Sequence, residues 1–312
     1  MKKKKRRVRV FRIFLLLILV FAIIGVTAFG IYGLLHKDIK SDFSIDSLSI
    51  NEIDYSDVKK LDLDLYSNGY LLIRLNDFKV LYGDKYDDMF YPASLTKILT
   101  MDGVLHSCSD FENETSSFSY EQREALIEAD ASLAYLDANE EYSIKDLLYA
   151  LVLPSGADAA EALNNYIVNK TGLSLVEEMN EICKEINLTS SHFTNTTGLH
   201  DDMLYTSLSD YAKIVIDVLN NSVGKEVLKT MEHELEDGTK VKSSLISLSK
   251  RSDIKTYGGK TGYTLEAGMN ICVLYEAGNR SYLLVLKNAE GSPYVKQKHI
   301  EDVNKIYDYL YN

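Results

Sequence analysis

The chain has 312 residues, 46% hydrophobic and 26% charged, a balance that excludes a disordered polymer and suffices for one large domain or two modest ones. The net charge of −12 hides an asymmetry, because residues 1–35 hold eight basic residues and no acidic one, leaving about −20 for the remainder. A body that acidic offers phosphates no basic face, so nucleic acid is not an expected partner.

The basic tail, residues 1–12, runs into 23 residues (13–35) without a formal charge. At about 1.5 Å per residue this stretch spans roughly 35 Å, enough to cross a hydrocarbon core of about 30 Å as a helix. Basic residues on its N-terminal side place that end in the cytoplasm and the body outside. A cleaved signal peptide competes, but its apolar region is usually about 7–15 residues long, and Thr27-Ala28-Phe29 is a poor cleavage site. The expectation is therefore an uncleaved, single-pass anchor in the cell membrane. A polar stalk over 36–60 follows, and then a domain over 61–312.

Within the body, "YLLIRLNDFKVLYGDK" predicts two short strands around the turn dipeptide Asn76-Asp77. A helix follows over 93–106, with Pro92 at its entry. Four amphipathic runs predict further helices: "SIKDLLYALVL", "DAAEALNNYIVNKTG", "SLVEEMNEICKEINL" and "SLSDYAKIVIDVLNN". The period then shifts, and "GMNICVLYEAGNRSYLLVLKNAE" predicts a second strand hairpin around Gly278-Asn279. The chain closes with an amphipathic helix. Strands at both ends of the body flank a helical block, which predicts an α+β domain: an antiparallel sheet shared by the two ends, flanked by helices, with a helical subdomain. Cys108, Cys183 and Cys272 lack the paired spacing of zinc sites and are expected as small buried hydrophobes. One disulfide plus one free thiol is the other arrangement open to an exported protein.

Three short motifs could carry chemistry. In "YPASLTKILT", Ser94 and Lys97 share a helix face at i and i+3. A serine hydroxyl needs a base to become a nucleophile, and a lysine serves as one only when burial or a neighbouring cation keeps it neutral. Taken alone, the pair is better described as a capping serine with a solvated lysine. Ser155, in Leu153-Pro154-Ser155-Gly156-Ala157, lies on a turn between helices; it can project into a cleft or cap the next helix. In "YGGKTGYT", glycines allow close backbone approach, and Lys260 and Thr261 can present a cation and a hydroxyl to a carboxylate. The plainer alternative is a glycine-rich turn with an exposed lysine.

In this order the three motifs resemble the serine-x-x-lysine, serine-turn and lysine-threonine-glycine triplet of the penicillin-recognising serine enzymes. The blocks "PASLTKILT", "DLLYALVLPSGADAAEAL", "MNEICKEINLTSSHFTNTTGL", "SLSDYAKIV" and "GGKTGYTLEAG" resemble successive segments of the D-alanyl-D-alanine carboxypeptidases, the low-molecular-mass penicillin-binding proteins. The resemblance covers roughly residues 60–310 and implies a β-lactamase/transpeptidase-like fold. It also implies that Ser94 attacks the carbonyl between two D-alanines of a peptidoglycan stem peptide, with Lys97 as base and Ser155 relaying a proton to the leaving group. Lys260, Thr261 and Gly262 form the substrate-binding strand; Lys260 and Thr261 hold the terminal carboxylate, and Lys260 keeps Lys97 neutral by repulsion. The backbone N–H groups of Ser94 and Tyr263 form the oxyanion hole. β-Lactams become covalent inhibitors, and no metal or cofactor is required.

Two departures stand out. The second motif usually ends in asparagine, and here Ala157 offers neither donor nor acceptor. The family arginine near the last helix has no evident counterpart, the region offering Lys296 and Lys298. Relatives also often end in a β-rich stem and a C-terminal anchor, a role the N-terminal segment is expected to take here. Three other functions compete with this reading. A β-lactamase needs a glutamate-guided water that no loop supplies convincingly. A zinc carboxypeptidase needs ligands beyond His192, His200 and Asp201. A wall-binding protein without turnover would carry Ala157 as its signature.

Overall fold

Strands from the two ends of the body meet in one sheet. The computed structural model describes residues 52–248 and 251–312; the expected basic tail and the apolar segment 13–35 lie outside the described residues. The first hairpin pairs β1 (Gly69–Arg74) with β2 (Lys79–Asp84), its turn held by the Arg74 guanidinium on the Asp77 carboxylate. Asp54 and Lys59 bridge the outer edge of β2 in parallel sense, so pairing with the sheet starts upstream of residue 61. A 3-10 turn at Ala93–Leu95 leads into α1 (Thr96–Ser107).

The helical block comprises α2 (Tyr120–Glu128), α3 (Ile144–Val152), α4 (Ala157–Thr171), α5 (Leu175–Glu185), α6 (Leu208–Asn220) and the short α7 (Ser222–Leu228). Two-residue strands β3 (Thr115–Ser116) and β4 (Tyr142–Ser143) pair within it. Ser143, Ser174 and Ser207 cap α3, α5 and α6, each accepting a backbone N–H of the first turn. The sequence reading overlooked α2, whose apolar face is weak. A signal was there, since Ser119 and Gln122 form a reciprocal capping box.

One further pair and three long strands follow. β5 (Glu232–Glu234) and β6 (Lys240–Lys242) form a small surface hairpin. The long strands β7 (Ile254–Thr264), β8 (Gly268–Ala277) and β9 (Arg280–Ala289) complete the main sheet, and α8 (Lys298–Tyr311) ends the chain. The sheet order is β2-β1-β9-β8-β7, antiparallel throughout, with Gly69 opposite Lys287 and Arg74 opposite Tyr282.

Alternation along the strands sends Leu72, Ile271, Val273, Leu284 and Leu286 toward Ile300, Val303, Ile306 and Tyr307 of α8. The intervening residues Leu71, Ile73, Leu283 and Val285 are also fully buried, and α6 packs against β1 and β9. Helix α1 is buried nearly all round because α3, α4, α5, α6 and α7 contact it. Its interior position leaves Lys97, Thr100 and Asp102 with almost no access to water. The three cysteines are free and buried, the first of the two arrangements considered. No helix among the described residues is long and apolar enough to cross a membrane.

Candidate active site

Ser94 is held by a turn that the chain does not make freely. Ala93 has φ +49°, a left-handed value disfavoured for a residue with a Cβ, and Pro92 precedes it. Three neighbours hold this geometry. The Asn270 side chain, fully buried on β8, donates to Tyr91 O at 3.0 Å and to Pro92 O at 3.3 Å. Gly262 of β7 lies so close that a Cβ there would stand 2.7 Å from Pro92 O and 3.1 Å from Ser94 N. Gly198, at φ +79°, approaches from the other side, and its Cβ would meet Ala93 O at 2.0 Å. Ser94 is therefore not a cap. It sits in the 3-10 turn ahead of α1, without a side-chain capping bond.

Lys97, one turn on, is 2% exposed. Its Nζ lies 3.1 Å from Ser94 Oγ and donates to Thr197 O at 2.6 Å. Burial pushes its pKa down from 10.5 to about 7, against a smaller opposing pull from Asp158. Thr197 was not singled out in the sequence. Its carbonyl is aimed by an Asx turn in which Asn195 Oδ1 accepts from the N–H groups of Thr197 and Gly198. Thr196 O, next to it, accepts from Thr100 Oγ1 of α1 at 2.7 Å. The signal was the "TNTTG" segment, with an Asx residue two and three positions before the bonded amides.

Lys260 on β7 is completely buried and donates to Thr261 O at 2.8 Å. Burial first, and then repulsion from Lys97, hold its pKa well below the ordinary lysine value. The sequence reading gave Lys260 the task of neutralising Lys97. Burial is the first cause at both amines, and repulsion between Lys97 and Lys260 acts in the same direction. Thr261 Oγ1 lies 2.7 Å from Ser244 Oγ on the 3-10 turn Ser244–Ser247, a neighbour the sequence did not suggest.

Ser155, with φ +69°, is buried on the turn before α4, and its Oγ has no hydrogen-bond partner among the described residues. Ala157 is the fully buried first residue of α4. The adjacent Asp158 is spent on the loop before it, accepting from the Ala134 and Leu136 N–H groups at 2.9 and 3.1 Å. Hence no amide stands where the motif asparagine was expected.

Ser94, Ser155, Thr261, Gly262 and Tyr263 line a cleft of about 260 Å³, together with Ser132, Ser244, Tyr294, Gln297 and His299. The expected stand-ins for the missing arginine are displaced. Lys296 pairs with Glu301 at 2.9 Å, and both Lys296 and Lys298 lie over the Tyr66 ring. The basic side chain of the last helix that lines the cleft is His299, which is 4% exposed, its Nδ1 without a partner among the described residues. Burial pushes its pKa down to about 4, so the ring is neutral at physiological pH. His192 and His200 do not assemble a metal cluster: His192 Nδ1 lies 2.8 Å from Met203 O, and His200 pairs with Asp202.

The site thus sets a serine hydroxyl beside a buried amine of lowered pKa, facing a strand with a second buried amine, on a sheet-and-helix scaffold. Among solved structures, the scaffold matches the Streptomyces K15 DD-transpeptidase with a TM-score of 0.68 at 23% identity, over 81% of this chain and 98% of that one. It also matches penicillin-binding protein D2 of Listeria monocytogenes in its ampicillin-bound form, with a TM-score of 0.66 at 23% identity, over 80% and 99%. The fold is thus that of the DD-transpeptidases and penicillin-binding proteins.

The profile of the D-alanyl-D-alanine carboxypeptidase family matches residues 56–291, and the chain belongs to that family. Its curated relatives include DacF of Bacillus subtilis, 28% identical over 78% of this chain and 61% of the relative. DacA of Haemophilus influenzae is also 28% identical, over 74% and 58%. The chain thus spans about three fifths of the length of these two relatives.

Proposed function

We propose that this chain is a serine-type D-Ala-D-Ala carboxypeptidase of the bacterial cell wall. The observation that carries the reading is the Lys97 amine, buried, half relieved of its proton near pH 7 and 3.1 Å from Ser94 Oγ. Neutral Lys97 takes the Ser94 proton as Oγ bonds to the carbonyl carbon of the penultimate D-alanine. Ser94 and Tyr263 N–H groups receive the oxyanion. The C–N bond to the terminal D-alanine breaks, and Ser155, whose hydroxyl has no partner among the described residues, passes a proton to the leaving amine. Water then hydrolyses the Ser94 ester. Thr261, with Lys260 behind it, receives the terminal carboxylate, while Gly262 keeps the strand close to the nucleophile. A β-lactam follows the same first step, its ring amide opening onto Ser94.

The anchor belongs to the same proposal. Residues 13–35 cross the membrane with the basic tail 1–12 in the cytoplasm, 36–60 form the stalk, and the domain over 61–312 faces the wall. The uncharged apolar run and its basic N-terminal flank support this.

A second reading, a wall-binding protein with impaired turnover, is favoured by Ala157 alone. One paired assay separates the two. A fluorescent penicillin should label the full-length protein covalently and fail to label Ser94→Ala. D-Alanine release from a pentapeptide then supports the carboxypeptidase. Labelling without release supports the binding protein, and absence of both overturns the acyl-transfer reading.

A further inference from the structure

On the side of the helical block, the cleft is lined by Ser132, Pro154 and Ser155. Ser132 belongs to the irregular segment between α2 and β4, and that segment is fastened to the turn before α4. The Ala157 N–H donates to Ser132 O at 2.8 Å. The Asp158 carboxylate accepts from Ala134 and Leu136 N–H two and four residues on. A Cβ on Gly156 would stand 2.7 Å from Ala134 Cβ, so the two segments are in close contact. Ser132 is thereby held beside Ala157, whose own side chain is only a methyl. Ser132 is itself exposed and lines the cleft, and its hydroxyl has no hydrogen-bond partner among the described residues.

The polar groups of a peptide substrate decide what this hydroxyl can meet. β7 is the outermost strand of the main sheet, with β8 on one side and no strand on the other among the described residues. An extended peptide laid along such an edge points successive carbonyls to opposite sides. The reacting carbonyl of the penultimate D-alanine turns to the Tyr263 N–H of β7. The carbonyl one residue earlier therefore turns away from β7, toward the helical block. There it leaves water and needs a donor. Ser155 is occupied with the leaving amine, and Ser132 is the other side-chain hydroxyl on that side of the cleft.

We propose that the Ser132 hydroxyl donates to the substrate carbonyl that precedes the penultimate D-alanine, which makes Ser132 a substrate-binding residue on the acyl side of the scissile bond. The assignment rests on the acyl-transfer reading. Thr261 then holds the carboxylate on one side of the reacting carbon and Ser132 the amide on the other, so the carbon is fixed at two points in front of Ser94 Oγ. The site selects acyl chains that carry an amide carbonyl at this position.

Two β-lactams test this. Benzylpenicillin bears such an amide carbonyl on its side chain, and 6-aminopenicillanic acid has a free amine instead. Acylation rates of the full-length protein in detergent are followed for both by mass spectrometry. In Ser132→Ala the ratio of the benzylpenicillin rate to the other should fall about tenfold, the worth of one hydrogen bond at the site. Ser132→Thr, which keeps the hydroxyl, should keep the parent ratio. A purely structural role would slow both compounds alike. An unchanged ratio in Ser132→Ala would therefore overturn the assignment of Ser132 while leaving the acyl-transfer reading intact. No acylation of the parent by either compound would overturn that reading, and the assignment with it.

Discussion

Replacing Lys97 by methionine keeps the length of the side chain and removes the amine. The fold holds this amine at a pKa of about 7 against an ordinary 10.5. At about 1.36 kcal/mol per pH unit, that difference means the folded state gives up roughly 5 kcal/mol below pH 7 to bury the group. The sign follows from proton counts. Between pH 7 and 10.5 the unfolded chain binds more protons at this residue than the folded one, so stability rises with pH across that window. Removing the amine also strips Thr197 O of its donor, which costs about 1–3 kcal/mol. Lys97→Met should therefore be more stable than the parent at pH 6 by about 2–4 kcal/mol, or roughly 4–16 °C in melting temperature for a domain of this size. The gap should close as pH rises and reverse toward pH 10, where only the lost Thr197 O donor remains, and penicillin labelling should vanish. Thermal melts of both proteins at pH 6, 8 and 10, with labelling in parallel, make the measurement. A variant less stable than the parent at pH 6, or a gap that does not change with pH, would refute the reasoning.

Acylation of the parent by a β-lactam should rise with pH through about 7 and then level off, because only neutral Lys97 accepts the Ser94 proton; a flat rate between pH 5.5 and 8.5 would contradict this. Ala157→Asn should raise D-alanine release, since a restored hydrogen bond at the reacting centre is worth about 1–3 kcal/mol, and an unchanged turnover number would remove Ala157 as the cause of any impairment. Gly198→Ala should lose about 2–4 kcal/mol in denaturation, from strain at φ +79° and overlap with Ala93 O; a neutral result would show that the turn can shift. His299→Gln should leave the pH profile of kcat/KM unchanged between pH 5 and 8, because the buried ring is already neutral there. An inflection near 6.5 that disappears in the variant would show that the ring titrates in the cleft.

Much of the scaffold was legible because periodicity reports burial directly. Alternation along 280–289 and helical spacing along 208–220 each arise from a face that must meet apolar neighbours. Helix α2 escaped because that face is nearly absent and only its capping box marks it. Likewise, Ser94, Lys97, Ser155 and Lys260 could be named from motif order, but Thr197, Asn195, Asn270 and Ser244 could not. They support the site through backbone carbonyls or side chains brought in from distant parts of the chain; local spacing marks the Asn195 turn but not its meeting with Lys97. Which basic residue of the last helix faces the cleft was not legible for the same reason. Lys296 and Lys298 have the right charge, but the direction of α8 turns them to Tyr66 and gives the cleft His299.

By itself, the sequence determined which residue types are present, in what order, and which strongly periodic segments form strands and helices, because local backbone preference and apolar period are properties of neighbours along the chain. It also determined the substitution of Ala157 and the separation of a basic, apolar N-terminal segment from an acidic body. Whether Lys97 is a base or a surface charge was decided only by the tertiary structure. Its pKa depends on the water removed by the helices around α1, and desolvation is a property of the packed molecule rather than of any ten-residue stretch.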